Sequence, residues 1–500
     1  MNARERPDRL GWWTAVGAIA LAALALRIVA AHGGLWTDEA WSVIYAAQAR
    51  DPVGVFFRIN HDNNHHLYSL WLQAVGADAS PMLERAPAIL AGALAVVPAA
   101  IFAGRRSRAA GLVAALLFAV TPTFVVFGSE ARGYSMMLLA ALVLLLLVDD
   151  AVAGRETRGA RWWLAALALA GMLSHMTMAA PVGLAALWFY LERRATAGPG
   201  KALPDTLRLI GPAIAVTAAV VVFVFTAGAL SPTGFRLGGY EPFALPHYTA
   251  ALDDLALWSA GLSSPWPWLV PFAAGATALI IAFRRPQWLG SRARLYGLLI
   301  IAVPLAAGLV RSGNTEFARY YLTSALGLLL LISDWIARGL EDRPAVRSAA
   351  LFLMITLVGV GLYRDLVLIG VDRGRPARPV ADMAALEPSG ARVAFAEPRL
   401  KGVVAVAAER SGYRARFAGG CTPAEFLLAS QSRWKPTPAT VHRCGVEMDA
   451  IDSSISIPLT GDSWVLYRAR RLQSIGAADS GPAPGAEESR LSGRAGVAQG

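Results

Sequence analysis

Charge is scarce in this 500-residue chain: 16% of its residues are Asp, Glu, Lys or Arg, against 55% hydrophobic, and the mean hydropathy is +0.46. Soluble domains run near 25% charged, so these charges cannot cover the surface of a water-soluble molecule of this size. A disordered chain and a globule built to bind nucleic acid are excluded on the same ground. Lysine is nearly missing: Lys201, Lys401 and Lys435 are the only three among 46 basic residues. Cysteine is rarer still, and Cys421 and Cys444 alone, at their spacing, make no zinc motif. A multi-span membrane protein remains, in which the net charge of +11 reads as cytoplasmic loops and lipid headgroup contact.

Apolar runs at 11–31, 84–103, 109–128, 131–148, 161–174, 176–191, 207–229, 266–283, 294–310, 319–337 and 347–369 predict about eleven spans. The first is long for a signal peptide and no small-x-small cleavage site follows it, so it reads as an uncleaved span. Basic clusters at Arg105 to Arg108, Arg155 to Arg161, Glu192-Arg193-Arg194, Arg284-Arg285 and Arg338 to Arg347 fall on every second loop. The positive-inside rule puts these loops and the N-terminus in the cytoplasm. Loops 32–83, 128–133, 230–265 and 311–318, the turn at His175 and everything after about Val371 then face outward. The apolar stretch Leu67 to Val75 is too short to cross and reads as an outer-leaflet or re-entrant helix.

Beyond about 372 charges, Pro and Gly rise, and strands are expected at Arg392 to Ala396, Gly402 to Val406 and Ser463 to Tyr467. The expected organisation is a transmembrane module over 1–371 with its first outer loop at 32–66, a small extracytoplasmic α/β domain over 372–470, and a disordered tail over 471–500. Both cysteines lie in the outward domain. An oxidising compartment there predicts a Cys421–Cys444 disulfide.

Outward-facing polar residues carry the candidate chemistry, while the spans are nearly free of charge. Thr37 can cap a helix whose first turn bears Asp38 and Glu39. Trp41, Ile44 and Tyr45 share one face, as in a helix lying in the membrane interface. A carboxylate pair directly after a span is costly unless it has a partner or a task. His61, His65 and His66, beside Asp62, either hold a divalent metal ion or form a polar loop before a helix. In Ser129-Glu130-Ala131-Arg132-Gly133-Tyr134, Arg132 either pairs with Glu130 or meets a lipid phosphate. Arg319, with Tyr320 and Tyr321, is a snorkelling anchor or a second phosphate ligand. His175 reads more readily as a satisfied interior histidine than as a catalytic one.

At these residues the chain resembles the GT-C glycosyltransferases, the branch of the protein O-mannosyltransferases and lipid A aminoarabinose transferases. Asp38-Glu39 resembles the acidic pair of the first outer loop. His65-His66-Leu67-Tyr68 stands where that family usually has Pro-Pro-Leu-Tyr, Arg85-Ala86-Pro87-Ala88-Ile89-Leu90 resembles its Arg-Leu-Pro-Ser-Ala-Leu, and Glu130 to Tyr134 its Glu-Ala-Arg-x-Tyr. Arg319-Tyr320-Tyr321-Leu322 resembles its Arg-Tyr-Leu-Leu. The likeness covers about residues 11–340. It implies a GT-C-like polytopic helical protein of the plasma (bacterial inner) membrane. Its implied partners are membrane lipids, a polyprenyl-phosphate-sugar donor and a glycan, lipid or protein acceptor, with no nucleic acid. In the implied site Asp38 is the base, Glu39 and Glu130 support it, and Arg132, Arg319, Tyr134 and Tyr320 hold the donor phosphate. A ligase or polymerase of lipid-linked glycans, and a non-catalytic flippase or membrane sensor, are the alternatives.

Overall fold

The computed structural model describes residues 5–470 except 60–64, 232–233, 235–241, 263–265, 285–289 and 432–435. The expected tail at 471–500 therefore lies outside the described residues, as does His61. Helices α1 (Glu5–Ala30), α2 (Thr37–Gln48), α3 (Gly54–Phe57) and α4 (His66–Val75) come first. Then follow α5 (Pro81–Leu94), α6 (Val96–Gly104), α7 (Arg108–Val120), α8 (Pro122–Phe127), α9 (Tyr134–Val152) and α10 (Ala160–Ser174). The rest of the helical part is α11 (Ala179–Ala197), α12 (Pro199–Leu209), α13 (Gly211–Leu230), α14 (Leu245–Ala260), α15 (Leu269–Arg284), α16 (Arg292–Val310), α17 (Leu322–Glu341) and α18 (Pro344–Val371).

Among the described residues seven helices are long and apolar enough to cross a membrane: Leu10–Ala30, Pro81–Gly104, Tyr134–Val152, Gly211–Leu230, Arg292–Val310, Ala318–Glu341 and Pro344–Gly374. Arg108–Val120, Ala160–Ser174 and Leu269–Ala282 are apolar but shorter. The run 109–128 is two helices, not one. Pro122 forces Thr121 out of the helical region, to ψ 120°, and ends α7. The orphan carbonyls at this break are met from α1: Arg27 donates to Phe118 O at 3.0 Å and to Ala119 O at 3.1 Å. α4 has ten residues and is about 15 Å long by helical rise, too short to span. α18 leaves Phe352, Ile355 and Leu366 exposed, a face suited to lipid.

The C-terminal part contains α19 (Arg378–Leu386), α20 (Lys401–Ser411) and strands β1 (Ala391–Phe395), β2 (Ala415–Phe417), β3 (Phe426–Ser430), β4 (Thr440–Arg443), β5 (Val446–Ser454) and β6 (Trp464–Ala469). They form one sheet in the order β2-β1-β3-β6-β5-β4, parallel across β2-β1-β3 and antiparallel elsewhere. Val380 and Met383 of α19 and Val404 and Ala408 of α20 pack on one sheet face with Val393, Phe426, Leu428 and Leu466. The run Gly402 to Val406, expected as a strand, lies in α20. A parallel β1–β2 pair needs a crossover between its strands, and this segment supplies it; here topology overrides the β propensity of the valines. Cys421 and Cys444 face each other with Cα atoms 5.3 Å apart, within disulfide range.

Candidate active site

Glu39 and Asp38 are adjacent on α2 but point into different surroundings. Glu39 is fully buried against Arg85 of α5, which donates through Nε to Oε1 at 2.8 Å and through Nη2 to Oε2 at 2.6 Å. Ala131 N donates to Oε1 at 2.6 Å and Trp36 N to Oε2 at 3.3 Å. The second contact corrects the expected cap: Trp36, not Thr37, precedes the helix, and Glu39 reaches back to its N–H. The remaining Arg85 donors meet the carbonyls of Ala31 and Gly34 at 2.8 and 2.7 Å. Burial pushes the Glu39 carboxyl up, but Arg85 outweighs it and holds it below the ordinary glutamate range. Both partners are enclosed and hydrogen-bonded, so the pair fastens the loop after α1 onto α5.

Asp38 faces outward, and 26% of its side chain is accessible although protein surrounds it. Arg132 Nη1 donates to its Oδ2 at 2.5 Å, and Arg319 Nη1 stands 3.3 Å from the same oxygen. Among the described residues Oδ1 accepts no hydrogen bond. Burial raises this carboxyl, while Arg132, Arg319 and Arg399 together hold it below the ordinary aspartate range. Arg132 lies 5.0 Å from the Tyr134 ring centre, and Arg319 lies 3.9 Å from Phe317 and 5.5 Å from Tyr320. Both tyrosines thus back guanidiniums, and the Tyr134 hydroxyl is buried without a hydrogen-bond partner.

His65 is part of this wall. Its Nε2 lies 3.3 Å from Arg132 Nε, and its Nδ1 lies 3.1 Å from Ser174 O and 3.2 Å from Gly133 N, so both ring nitrogens are engaged by protein. His175 packs 4.7 Å from it, ring to ring, with Nδ1 2.7 Å from Thr177 Oγ1. Burial, then the nearby Arg132 charge, hold both imidazoles well below the ordinary histidine range, so they are neutral. His66 turns away and stacks on Phe56 at 5.2 Å. The described residues contain no group of three or more His, Cys, Asp and Glu fit to hold a metal. The Arg132 guanidinium against the His65 imidazole opposes a cation beside it, while His61, another member of the expected set, lies outside the described residues.

Glu130 sits behind the site, fully buried, with Oε1 accepting from Thr460 Oγ1 and Oε2 without a hydrogen-bond partner. Burial, then the Glu39 charge, push its pKa up to about 7. Thr460 belongs to the β5–β6 loop, and this loop was invisible to sequence reasoning. Asp462 in the same loop accepts from Thr37 N and Oγ1, both at 2.8 Å, at the start of α2. α20 covers the face of α2 that carries Trp41, whose indole donates to Arg399 O at 2.7 Å. That face packs in part on protein, with Trp41, Ile44 and Tyr45 each left half-buried. A Cβ at position 402 would stand 2.8 Å from the Trp41 ring, so only glycine admits this approach. Sequence spacing carries no trace of contacts between residues hundreds of positions apart.

No family model and no curated protein matches the sequence. Among solved structures, ArnT from Cupriavidus metallidurans in the apo state superposes with a TM-score of 0.54 at 16% identity, covering 92% of this chain and 98% of that one. The chain has the ArnT fold. This is the GT-C-like polytopic helical fold expected from the motifs, with a small C-terminal sheet domain, and the protein is a membrane protein. ArnT bound to undecaprenyl phosphate gives a TM-score of 0.48 at 16% identity, over 91% of this chain and 98% of that one. The Archaeoglobus fulgidus oligosaccharyltransferase complex with Zn and sulfate gives 0.46 at 12% identity, over 83% and 68%. These two scores add nothing to the fold assignment.

Proposed function

We propose that this protein is a GT-C-type glycosyltransferase that moves a sugar from a polyprenyl-phosphate-linked donor to a glycan, lipid or protein acceptor on the outer face of the plasma membrane. The observation that carries this reading is Asp38, an accessible carboxylate held between two arginines at the end of the membrane helices. Asp38 serves as counterion to Arg132 and Arg319. An arriving phosphate competes for both guanidiniums, and each one it draws off makes Asp38 more basic. Asp38 Oδ1 then takes the acceptor hydroxyl proton as the acceptor oxygen attacks the anomeric carbon. The bond from that carbon to the phosphate oxygen breaks, polyprenyl phosphate leaves with the electron pair, and the anomeric centre inverts. Glu39 positions Asp38 through Arg85. Purified protein incubated with labelled polyprenyl-phosphate sugars, with products identified by mass spectrometry, tests the reading. Transfer that Asp38→Asn abolishes supports it; binding without sugar release by the wild type would favour a flippase or sensor.

A further inference from the structure

Away from Asp38, a narrow crevice opens where the ends of α7 and α14 meet α18. Thr121, Trp258, Ser259 and Arg364 line it among apolar side chains. The Arg364 guanidinium lies 5.5 Å from the Trp258 ring centre. Its Nη1 is buried and has no hydrogen-bond partner among the described residues, and the same is true of Trp258 Nε1. Trp258 itself is 8% exposed. No ion pair reaches Arg364 among the described residues, and the carboxyl beside it in sequence, Asp365, is buried with neither oxygen hydrogen-bonded.

A snorkelling arginine carries its guanidinium to water; here Nη1 is enclosed. Arg364 lies seven residues before Val371, about 10 Å along the helix axis, near the end of α18 closest to the catalytic centre. On either side Tyr363 and Leu366 are 67% and 68% exposed on the lipid-suited face of the helix. A half-buried arginine within a span, its Nη1 enclosed beside an unused indole N–H and the crevice open along a lipid-suited face, lacks an anion to offset its desolvation. We propose that this crevice binds the phosphate of an anionic membrane lipid, with Arg364 and Trp258 Nε1 as donors and the acyl chains along α18. Such a lipid would also brace the active site, because Ser259 bonds Thr123 of α8 at 2.9 Å and α8 runs directly into the turn carrying Glu130 and Arg132.

The test is to strip purified protein of lipid and titrate it separately with phosphatidylglycerol, phosphatidylcholine and inorganic phosphate, reading the most tightly held ligand by native mass spectrometry. Phosphatidylglycerol should bind about tenfold tighter than phosphatidylcholine. Arg364→Gln should weaken it by about tenfold or more, the worth of a charge-assisted hydrogen bond. Trp258→Phe keeps the ring, removes the donor and should weaken binding less; it carries the test if the arginine variant fails to fold. Unchanged affinity in both variants would overturn the proposal. Equal binding of phosphatidylcholine would overturn its anionic selectivity, and equal binding of inorganic phosphate would overturn its lipid character.

Discussion

The two neighbouring carboxylates of α2 should fail in opposite ways when each is neutralised. Glu39→Gln leaves Arg85 charged, fully buried and deprived of the carboxylate it grips with two nitrogens. Breaking a buried pair by removing one partner costs about 3–5 kcal/mol. The carbonyls of Ala31 and Gly34 remain as Arg85 acceptors, which favours the lower end of that range. Asp38→Asn, by contrast, leaves Arg132 and Arg319 partly accessible, at 11% and 14% exposure, so water softens the loss. Its cost to stability should stay near 1 kcal/mol, while removal of the base should slow transfer by about 10²–10⁴-fold. The assay pairs thermal unfolding in detergent with turnover of a labelled polyprenyl-phosphate sugar. Glu39→Gln should unfold several degrees lower, and Asp38→Asn should unfold near the wild type yet transfer almost nothing. A fully stable Glu39→Gln protein, or an Asp38→Asn protein with wild-type turnover, would refute the division of labour.

Further outcomes follow from the same geometry. Arg132→Lys and Arg319→Lys keep charge but lose the planar fork, so donor KM should rise in each, and an unchanged KM would remove that residue from the donor site. Glu130 has a folded pKa raised to about 7 from an ordinary 4.5, so the native state holds a proton that the unfolded chain has lost between those values. Stability from this group is full below about pH 4.5 and falls as pH rises to about 7. Glu130→Gln should flatten this decline in melting temperature, and an unaltered profile would exclude Glu130 as its source. Reporter fusions at Arg106, Arg193 and Arg284 should all report cytoplasm, an external signal from any one contradicting the proposed orientation. Cys421 and Cys444 should resist thiol labelling until reduced, and the closed loop should stabilise by roughly 3 kcal/mol.

Asp38, Arg132 and Arg319 could be singled out in the sequence because charges beside long apolar runs are expensive and few. Arg85 stood in a recognisable motif, yet its partnership with Glu39 needed the fold. The strand and turn composition after 372 revealed a separate sheet-bearing part. Its role at the site was hidden because Asp462, Arg399 and Thr460 are ordinary polar residues until chain topology carries the first two to α2 and the third to Glu130. The Gly402 to Val406 run was misread because local β propensity cannot register that a parallel crossover is required there. His65 and His66 looked alike in sequence, but being neighbours on one helix entry sends one ring to Arg132 and the other to Phe56.

The contact between Thr37 and Asp462 joins residues 425 positions apart, and that between Glu130 and Thr460 joins residues 330 apart. During synthesis at about 5–20 residues per second, roughly 20–60 seconds separate the emergence of Glu130 from that of Thr460. Late in that interval, once residue 371 has been made, the membrane helices are complete and Asp38 has both arginines within the same chain. The start of α2 still lacks Asp462, and Glu130 still lacks Thr460. A nascent chain can therefore occupy the bilayer as a nearly complete scaffold without an assembled catalytic centre. The last loop before β6 would then be the closing stitch of biogenesis, and the proposed transfer would wait for it to be made.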